Sequence, residues 1–131
     1  MLENLTIVAK ASAMARHAAA RHKLLAENVA NADTPGFRAR DLRPFAEMVN
    51  AAEVKEGFRL RATRPGHRLG PLDGQPFRPI LSATPPSPNG NSVDLADQSR
   101  RAAENQGQHA LALAIYAKAA DLWRIGLGRN R

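Results

Sequence analysis

The first thirty or so residues place small and apolar side chains at helical spacing. One side of a helix from about Glu3 to Ala32 follows alternating steps of four and three residues, the spacing of a coiled-coil seam. This N-terminal seam consists of Ile7, Ala11, Met14, Ala18, Arg21, Leu25, Asn28 and Ala32. The residue before a proline is disfavoured in helical conformation, so we expect the helix to stop near Thr34. Pro35-Gly36 then predicts a type II turn.

A second long helix is predicted at the other end of the chain. Ser92 or Asp94 can cap its start, and Asp97 falls in the first turn, where a carboxylate is favoured. Gly107 in its interior weakens the helix by about 1 kcal/mol relative to alanine. Its seam has the same spacing and gathers its large apolar residues after His109: Leu95, Ser99, Ala102, Gln106, His109, Leu113, Tyr116, Ala120, Trp123 and Leu127.

The middle of the chain differs from the two predicted helices because it is rich in proline and glycine. All nine prolines lie between Pro35 and Pro88, where they interrupt helices. Alternating apolar and polar residues over 58–63, the run 67–69 and the run 77–81 each predict a short strand, and Pro79 restricts the last to a sheet edge. Residues 83–91 are predicted to form a loop.

These patterns together predict a mainly α fold. Long N- and C-terminal helices pair as an antiparallel coiled coil, and a small irregular middle region contains some β structure. We divide the chain into a helix and turn at 1–37, a Pro/Gly/Arg-rich region at 38–91 and a helix at 92–131. The first and third segments are expected to form one helical domain.

Large apolar residues are scarce in this chain. Leu, Ile, Val and Phe make up about a fifth of it, close to the limit of roughly 20% below which charged chains are expected to be disordered. One helix pair of this composition buries too little surface to offset the entropy of ordering both helices. We therefore expect neighbouring chains to supply the missing apolar contacts.

The formal net charge of +7 indicates attraction to acidic partners. Most of the excess lies in residues 38–80, so a nucleic-acid-binding protein that uses the Arg-rich middle region is kept as an alternative. Acidic residues interleave with these arginines, and aromatic residues that could stack on bases are nearly absent. A membrane-surface helix is a weaker alternative, because the N-terminal helix lacks a large apolar face.

Candidate catalytic and metal-binding patterns are missing. The chain has no cysteine, and His17 and His22 do not share a helical face or an acidic partner. No serine lies in a nucleophile elbow, and the glycines form no phosphate-binding loop. We predict no catalytic, cofactor-binding or metal-binding residues and no enzyme activity. We also predict no membrane span and no cleaved secretory signal.

The segment 28–37 is the most informative stretch. Asn28 and Asn31 lie three residues apart, on one face of the last helical turns, where their amides can bond terminal carbonyls or reach a neighbouring chain. Phe37 follows the turn as an anchor. A simple helix stop explains the Pro-Gly turn but not the two amides together.

The pattern Asn-x-Ala-Asn-x-x-Thr-Pro-Gly-aromatic after an N-terminal helix resembles the signature of the bacterial flagellar rod and hook family. Residues 24–28 and 38–41 are similar to a proximal rod member of that family. The resemblance extends to 63–67, 89–95 and 103–106, and it is patchy between 42 and 88.

The resemblance implies a non-enzymatic subunit of the proximal rod of the flagellar basal body. Such a subunit polymerises through its terminal helices into the drive-shaft tube of a motile flagellum, in the periplasm, after type III export without a cleaved signal. Implied partners are copies of itself, other rod subunits, the export apparatus, and the basal-body membrane ring or its adaptor protein. No nucleic acid is expected.

Two sets of residues are predicted to carry the assembly. The subunit-interface set is Asn28, Asn31, Thr34, Pro35, Gly36 and Phe37. The helix-packing set, in which the C-terminal members pack against the N-terminal ones, is Ile7, Met14, Leu25, Leu113, Tyr116, Trp123 and Leu127.

Overall fold

A computed structural model of the chain describes residues 2–54, 77–126 and 128. It is dominated by two long helices, as the mainly α prediction requires. The predicted strands at 58–63 and 67–69, and Leu127 of the predicted seam, lie outside the described residues. In chain order the elements are α1 (Leu2–Ala30), β1 (Arg40–Asp41), α2 (Phe45–Val54), β2 (Ile80–Leu81) and α3 (Leu95–Gly126).

The ends of the long helices follow from local chemistry. After α1, the Phe37 amide donates to the Thr34 carbonyl (3.3 Å) and Gly36 has a φ of 73°, which confirms the predicted type II turn. Asp94 caps α3, since its Oδ1 accepts from the Ala96 amide (2.9 Å). Ser92, the other candidate cap, instead accepts a hydrogen bond from the Ala39 amide through Oγ (2.8 Å).

The two long helices pack antiparallel to each other. Asn28 of α1 bonds Gln98 of α3, and Asn105 bonds the Ala18 carbonyl, so the chain directions are opposite. Small side chains in this contact allow the helices to approach closely. Its buried residues recur every seven positions, at Ala11, Ala18 and Leu25 on α1 and at Gln98, Asn105, Ala112 and Ala119 on α3.

The buried line on α3 differs from the seam expected from the sequence. Leu113, Tyr116 and Trp123 are 50%, 48% and 40% exposed, whereas Ala112 and Ala119 are buried. The sequence pattern favours the line with the larger apolar residues, because residue size governs burial in an isolated helix pair. In the structure, a neighbouring line of small and polar residues faces α1 instead.

The pairing of the two short strands brings the second half of the middle region back beside the end of α1. They pair antiparallel, with Arg40 opposite Leu81 and Asp41 opposite Ile80. The Ser82 amide extends this pairing with a hydrogen bond to the Ala39 carbonyl (2.8 Å). Two segments within the middle region, one near its start and one in its second half, therefore meet beside the turn that follows α1.

Candidate assembly site

Asn28 joins three parts of the fold. Its Nδ2 donates to the Arg40 carbonyl (2.7 Å) and to Gln98 Oε1 (2.9 Å), and its Oδ1 accepts from the Arg40 amide (3.0 Å). The side chain is 1% exposed. All of its bonding groups are therefore satisfied within one chain, where they hold α1, β1 and α3 together.

Asn31 closes the end of α1. Its Nδ2 donates to the Glu27 carbonyl (2.8 Å), in the last turn of the helix, and this carbonyl also accepts from the Asn31 backbone amide (3.1 Å). Its Oδ1 accepts from the Thr34 hydroxyl (3.2 Å). The two asparagines of the motif thus have different roles, since Asn31 acts locally and remains half-buried.

Asn91 is a central residue of this site that sequence reasoning did not single out. Its Nδ2 lies within hydrogen-bond distance of the carbonyls of Asn31 (2.9 Å), Ala32 (2.8 Å) and Thr34 (2.8 Å). Its Oδ1 accepts from the Val93 amide (2.7 Å). An asparagine shortly before a predicted helix could have indicated a bonding role. Its partners could not be inferred from that position, because they lie 57 to 60 residues away in the chain.

The turn after α1 rests directly on the chain segment before α3. The Gly36 amide donates to the Asn89 carbonyl (3.0 Å), and the Ser92 amide donates to the Phe37 carbonyl (3.0 Å). Gly90 has a φ of 82°, and a Cβ at this position would lie only 3.2 Å from the Gly36 Cα. The crossing therefore favours glycine at position 90, whereas Gly36 is favoured by its φ of 73° alone.

The exposed part of the motif forms the tip of the molecule. Thr34, Pro35 and Gly36 are exposed, and Phe37 is half-buried. Beside them runs an open groove of about 560 Å³, whose lining includes Asp33 and Leu95. We call residues 31–37 the tip. Of the six residues predicted for the subunit interface, five lie in the tip, and Asn28 lies inside the fold.

Asp41 links both long helices to the strand region. Arg21 of α1 approaches it with Nε on Oδ1 (2.7 Å) and Nη2 on Oδ2 (2.8 Å), and Arg101 of α3 reaches Oδ2 (2.7 Å). The Leu42 amide also donates to Oδ1 (2.7 Å). Burial alone would raise the pKa of Asp41, but the hydrogen bonds from Arg21, Arg101 and Leu42 outweigh it and hold the pKa below its ordinary value.

His17 anchors the start of the middle region to α1. Its Nε2 donates to the Arg43 carbonyl (2.9 Å), and its ring packs against Phe45 (5.6 Å between centroids) and Phe77 (5.1 Å). Burial lowers the pKa of His17 below its ordinary value, so the ring is neutral near pH 7. These contacts give His17 a structural role.

Large apolar side chains cover much of the second half of α3. They are exposed in the single chain, and an open apolar groove of about 310 Å³ runs between this half of α3 and Ile7. We call the following set the apolar face: Leu111, Leu113, Tyr116, Leu122, Trp123 and Ile125. From the predicted packing set, Leu113, Tyr116 and Trp123 belong to it, Leu25 is buried against α3, and Met14 is half-buried.

Comparison with known proteins identifies the relatives of this chain. It is 34% identical over 103 residues to the flagellar basal body rod protein FlgB of Salmonella typhimurium, covering 74% of this chain and 75% of that protein. It is 30% identical over 105 residues to FlgB of Agrobacterium fabrum, covering 77% of each, and 32% identical over 100 residues to FlgB of Cereibacter sphaeroides, covering 72% and 73%. No family model matches the chain.

The helical hairpin, its Asn/Thr-Pro-Gly tip and these relatives define a component of the bacterial flagellar basal body rod. Within that class, the chain belongs to the FlgB family. No helix in the described part of the chain is long and apolar enough to cross a membrane.

Proposed function

We propose that this chain is a structural, non-catalytic subunit that polymerises through α1 and α3 into the proximal rod, the drive shaft of a motile flagellum. The observation that carries this proposal is the apolar face of α3. Soluble monomers rarely expose contiguous apolar patches of this kind, and such patches mark surfaces that other chains cover. Rod neighbours are the partners that membership of the FlgB family suggests.

The apolar face has two sides, which supports an assembly that continues in more than one direction. Successive helical residues are about 100° apart, so Leu111 and Leu122 lie to one side of buried Ala112 and Ala119, and Leu113 lies to the other. Different neighbours can therefore cover the two sides. Contacts of this heterologous type build open helical arrays when the rotation does not close.

The tip is proposed as the second contact surface. Thr34, Pro35 and Gly36 are exposed and held in one conformation by Asn89 and Asn91, so they can meet an adjacent subunit with little loss of entropy. Asn31 and Phe37 flank this surface, and Asn28 supports it from within. Other rod subunits and the basal-body ring or its adaptor protein are the proposed partners.

The remaining parts of the proposal follow from family membership. We infer a periplasmic position in the basal body, reached by type III export without a cleaved signal. The division at residues 37 and 91 into helical and middle regions is retained as part of this proposal. The relatives of the chain give no support to the nucleic-acid alternative, and Arg40 of the middle region is paired with Glu27.

The test replaces two residues of the apolar face, Leu111→Gln together with Leu122→Gln, in a strain that lacks the native gene. Both positions are more than half exposed, so the purified protein should keep its helicity. We expect basal bodies without complete rods in electron micrographs and a loss of swimming, because polar amides in the covered face would be desolvated.

The matched control adds the same two glutamines to the opposite side of α3. Ala110→Gln together with Ala117→Gln changes exposed positions that point away from α1. This variant should assemble and swim normally. Complete rods and normal swimming in the Leu111/Leu122 variant would show that the apolar face is not an assembly surface.

A further inference from the structure

Two different faces of α3 could pack against α1. The face used in the structure presents Gln98, Asn105, Ala112 and Ala119, whereas a rotation of about 50° would turn Tyr116 and Trp123 towards α1, with Leu113 further round on the same side. The second face carries far more apolar area, so hydrophobic burial within one chain favours it. The structure nevertheless buries the alanine face, and this preference needs a cause.

Two polar side chains lie in the buried line, at consecutive seven-residue positions. Gln98 is 1% exposed and accepts from Asn28 Nδ2 (2.9 Å), and Asn105 is 2% exposed and donates to the Ala18 carbonyl (2.8 Å). We infer that Gln98, paired with Asn28, and Asn105 select the alanine face of α3 as the contact with α1 and keep Leu113, Tyr116 and Trp123 of the apolar face outward. They are positioning residues.

The Asn28 amide makes this selection effective. Its other bonds fix it to the Arg40 backbone, so it cannot follow α3 if that helix turns. The turn that brings Trp123 to α1 would carry Gln98 away from Asn28 and leave a buried N–H without an acceptor, which is far more costly than the bond itself is stabilising. The alanines alone give no such preference, since small side chains pack similarly in several arrangements.

The incomplete hydrogen bonding of Asn105 indicates that this position is not optimised for stability alone. Its Oδ1 is buried and has no hydrogen-bond partner in the described residues. Natural helix pairs retain a buried, incompletely bonded asparagine in some coiled coils because it fixes the alignment of the helices. The same role at Asn105 accounts for a second polar residue in this line, which continues after it as Ala112 and Ala119.

The consequence for assembly rests on the proposed function. With the alanine face inward, Tyr116 and Trp123 stay available to neighbouring subunits. With the helix turned towards its larger residues, a single chain would cover Tyr116 and Trp123 itself and lose that side of its assembly surface, while Leu111 and Leu122 would stay exposed.

The chain offers a direct reporter, because Trp123 is its single tryptophan and is 40% exposed. The experiment compares the full wild-type chain with Gln98→Ala/Asn105→Ala at a concentration where circular dichroism shows helical protein. We expect the emission maximum of the variant to move to shorter wavelength. Its iodide quenching constant should fall to roughly half or less, because burial against α1 shields the indole ring.

Two further variants make the result decisive. Gln106→Ala/Gln108→Ala removes two exposed amides from the same helix and should leave Trp123 as accessible as in the wild type. Gln98→Met keeps the side-chain volume and should protect Trp123 even where the double variant loses helicity. Unchanged accessibility of Trp123 in Gln98→Met would overturn the inference.

Motility separates this inference from the proposed function. Protection of Trp123 together with a loss of swimming supports both. Protection of Trp123 with normal swimming supports the inference about helix selection and contradicts the proposed use of Tyr116 and Trp123 in assembly. An accessible Trp123 with a loss of swimming contradicts the inference and leaves the proposed function standing.

Discussion

Glycines at the tip and in the helix have opposite effects on the stability of this chain. Gly90 is needed where it stands, because its φ of 82° suits only glycine and because a Cβ would meet the Gly36 backbone at 3.2 Å. Gly107 lies inside α3 with nothing within 4 Å of an added Cβ. There a missing side chain only increases the entropy that the helix must lose.

Alanine at these two positions should therefore change the free energy of unfolding in opposite directions. We expect Gly90→Ala to lower it by about 2 kcal/mol, since the left-handed conformation and the close contact both oppose a Cβ. Gly107→Ala should raise it by about 1 kcal/mol. Urea unfolding followed by circular dichroism measures both. Equal effects of the two substitutions would contradict the close crossing of the two segments at Gly36 and Gly90.

One buried carboxylate, that of Asp41, contributes to the contacts between three elements. Asp41 receives Arg21 from α1, Arg101 from α3 and the Leu42 amide from its own segment. Removal of one partner from a buried ion pair leaves the remaining charge without a counter-charge. This typically lowers the free energy of unfolding by several kcal/mol. Asp41 is therefore the residue whose loss should most weaken the joint between the helices and the strands.

The expected signature of Asp41 is a pH-dependent stability. In the folded chain, the pKa of Asp41 lies below its ordinary value of 3.8. Its contribution to the free energy of unfolding is therefore complete above pH 3.8 and is lost as the pH falls through the pKa of the folded chain. Asp41→Asn should lower the free energy of unfolding by about 3 kcal/mol at pH 7, with the difference from the wild type shrinking as the pH falls below about 4. Urea unfolding over this pH range measures it.

The control for this prediction is Asp33→Asn, which removes an exposed carboxylate from the tip. It should change the free energy of unfolding by less than about 0.5 kcal/mol. A difference between Asp41→Asn and the wild type that stays constant down to pH 2 would show that the carboxylate charge is not what joins these elements.

The end of the first long helix and the start of the second could be predicted from the sequence, because each depends on residues close by in the chain. Pro35 and Gly36 end the first helix in the expected turn, and Asp94 caps the second, because these effects act within a few residues. The bonds from Asn91 to the end of α1 were not predictable in the same way. They depend on which segments the fold brings together, and no local pattern specifies that.

The face of α3 that meets α1 shows the same limit more clearly. Spacing alone allows two adjacent lines of residues, and residue size favours the one that contains Leu113 and Trp123. The structure uses the other line, where Gln98 meets Asn28 across 70 residues of sequence. Polar pairing in the folded chain, which periodicity does not report, accompanies this arrangement.

At the scale of the whole molecule, the two ends of the helix pair differ in what stabilises them. The end near the tip holds the polar contacts of Asn28, Asn91 and Asp41, and these are satisfied within one chain. The other end has small buried alanines and an exposed apolar face. The polar end is therefore suited to fold alone, and the apolar end is suited to gain its stability from neighbours.

This difference predicts that tip residues can be changed without loss of the folded subunit. Asn31→Ala and Phe37→Ala alter half-buried side chains beside the exposed Thr-Pro-Gly turn, and the bonds of Asn91 to the backbone carbonyls remain possible. We expect both variants to be expressed and exported at near-normal levels, yet to form incomplete rods and swim poorly. The readouts are subunit levels in cell and export fractions, electron microscopy of basal bodies, and spreading in soft agar.

Arg38→Ala is the matched control, since it truncates an exposed side chain directly after Phe37. It should leave rods and swimming intact, because it leaves Asn31, Phe37 and the exposed Thr-Pro-Gly turn unchanged and surface truncation has little effect on stability. If Asn31→Ala and Phe37→Ala also swim normally, the tip has no part in assembly, and the apolar face of α3 must carry the subunit contacts alone. Poor swimming with reduced export would instead place the defect before assembly, at delivery of the subunit.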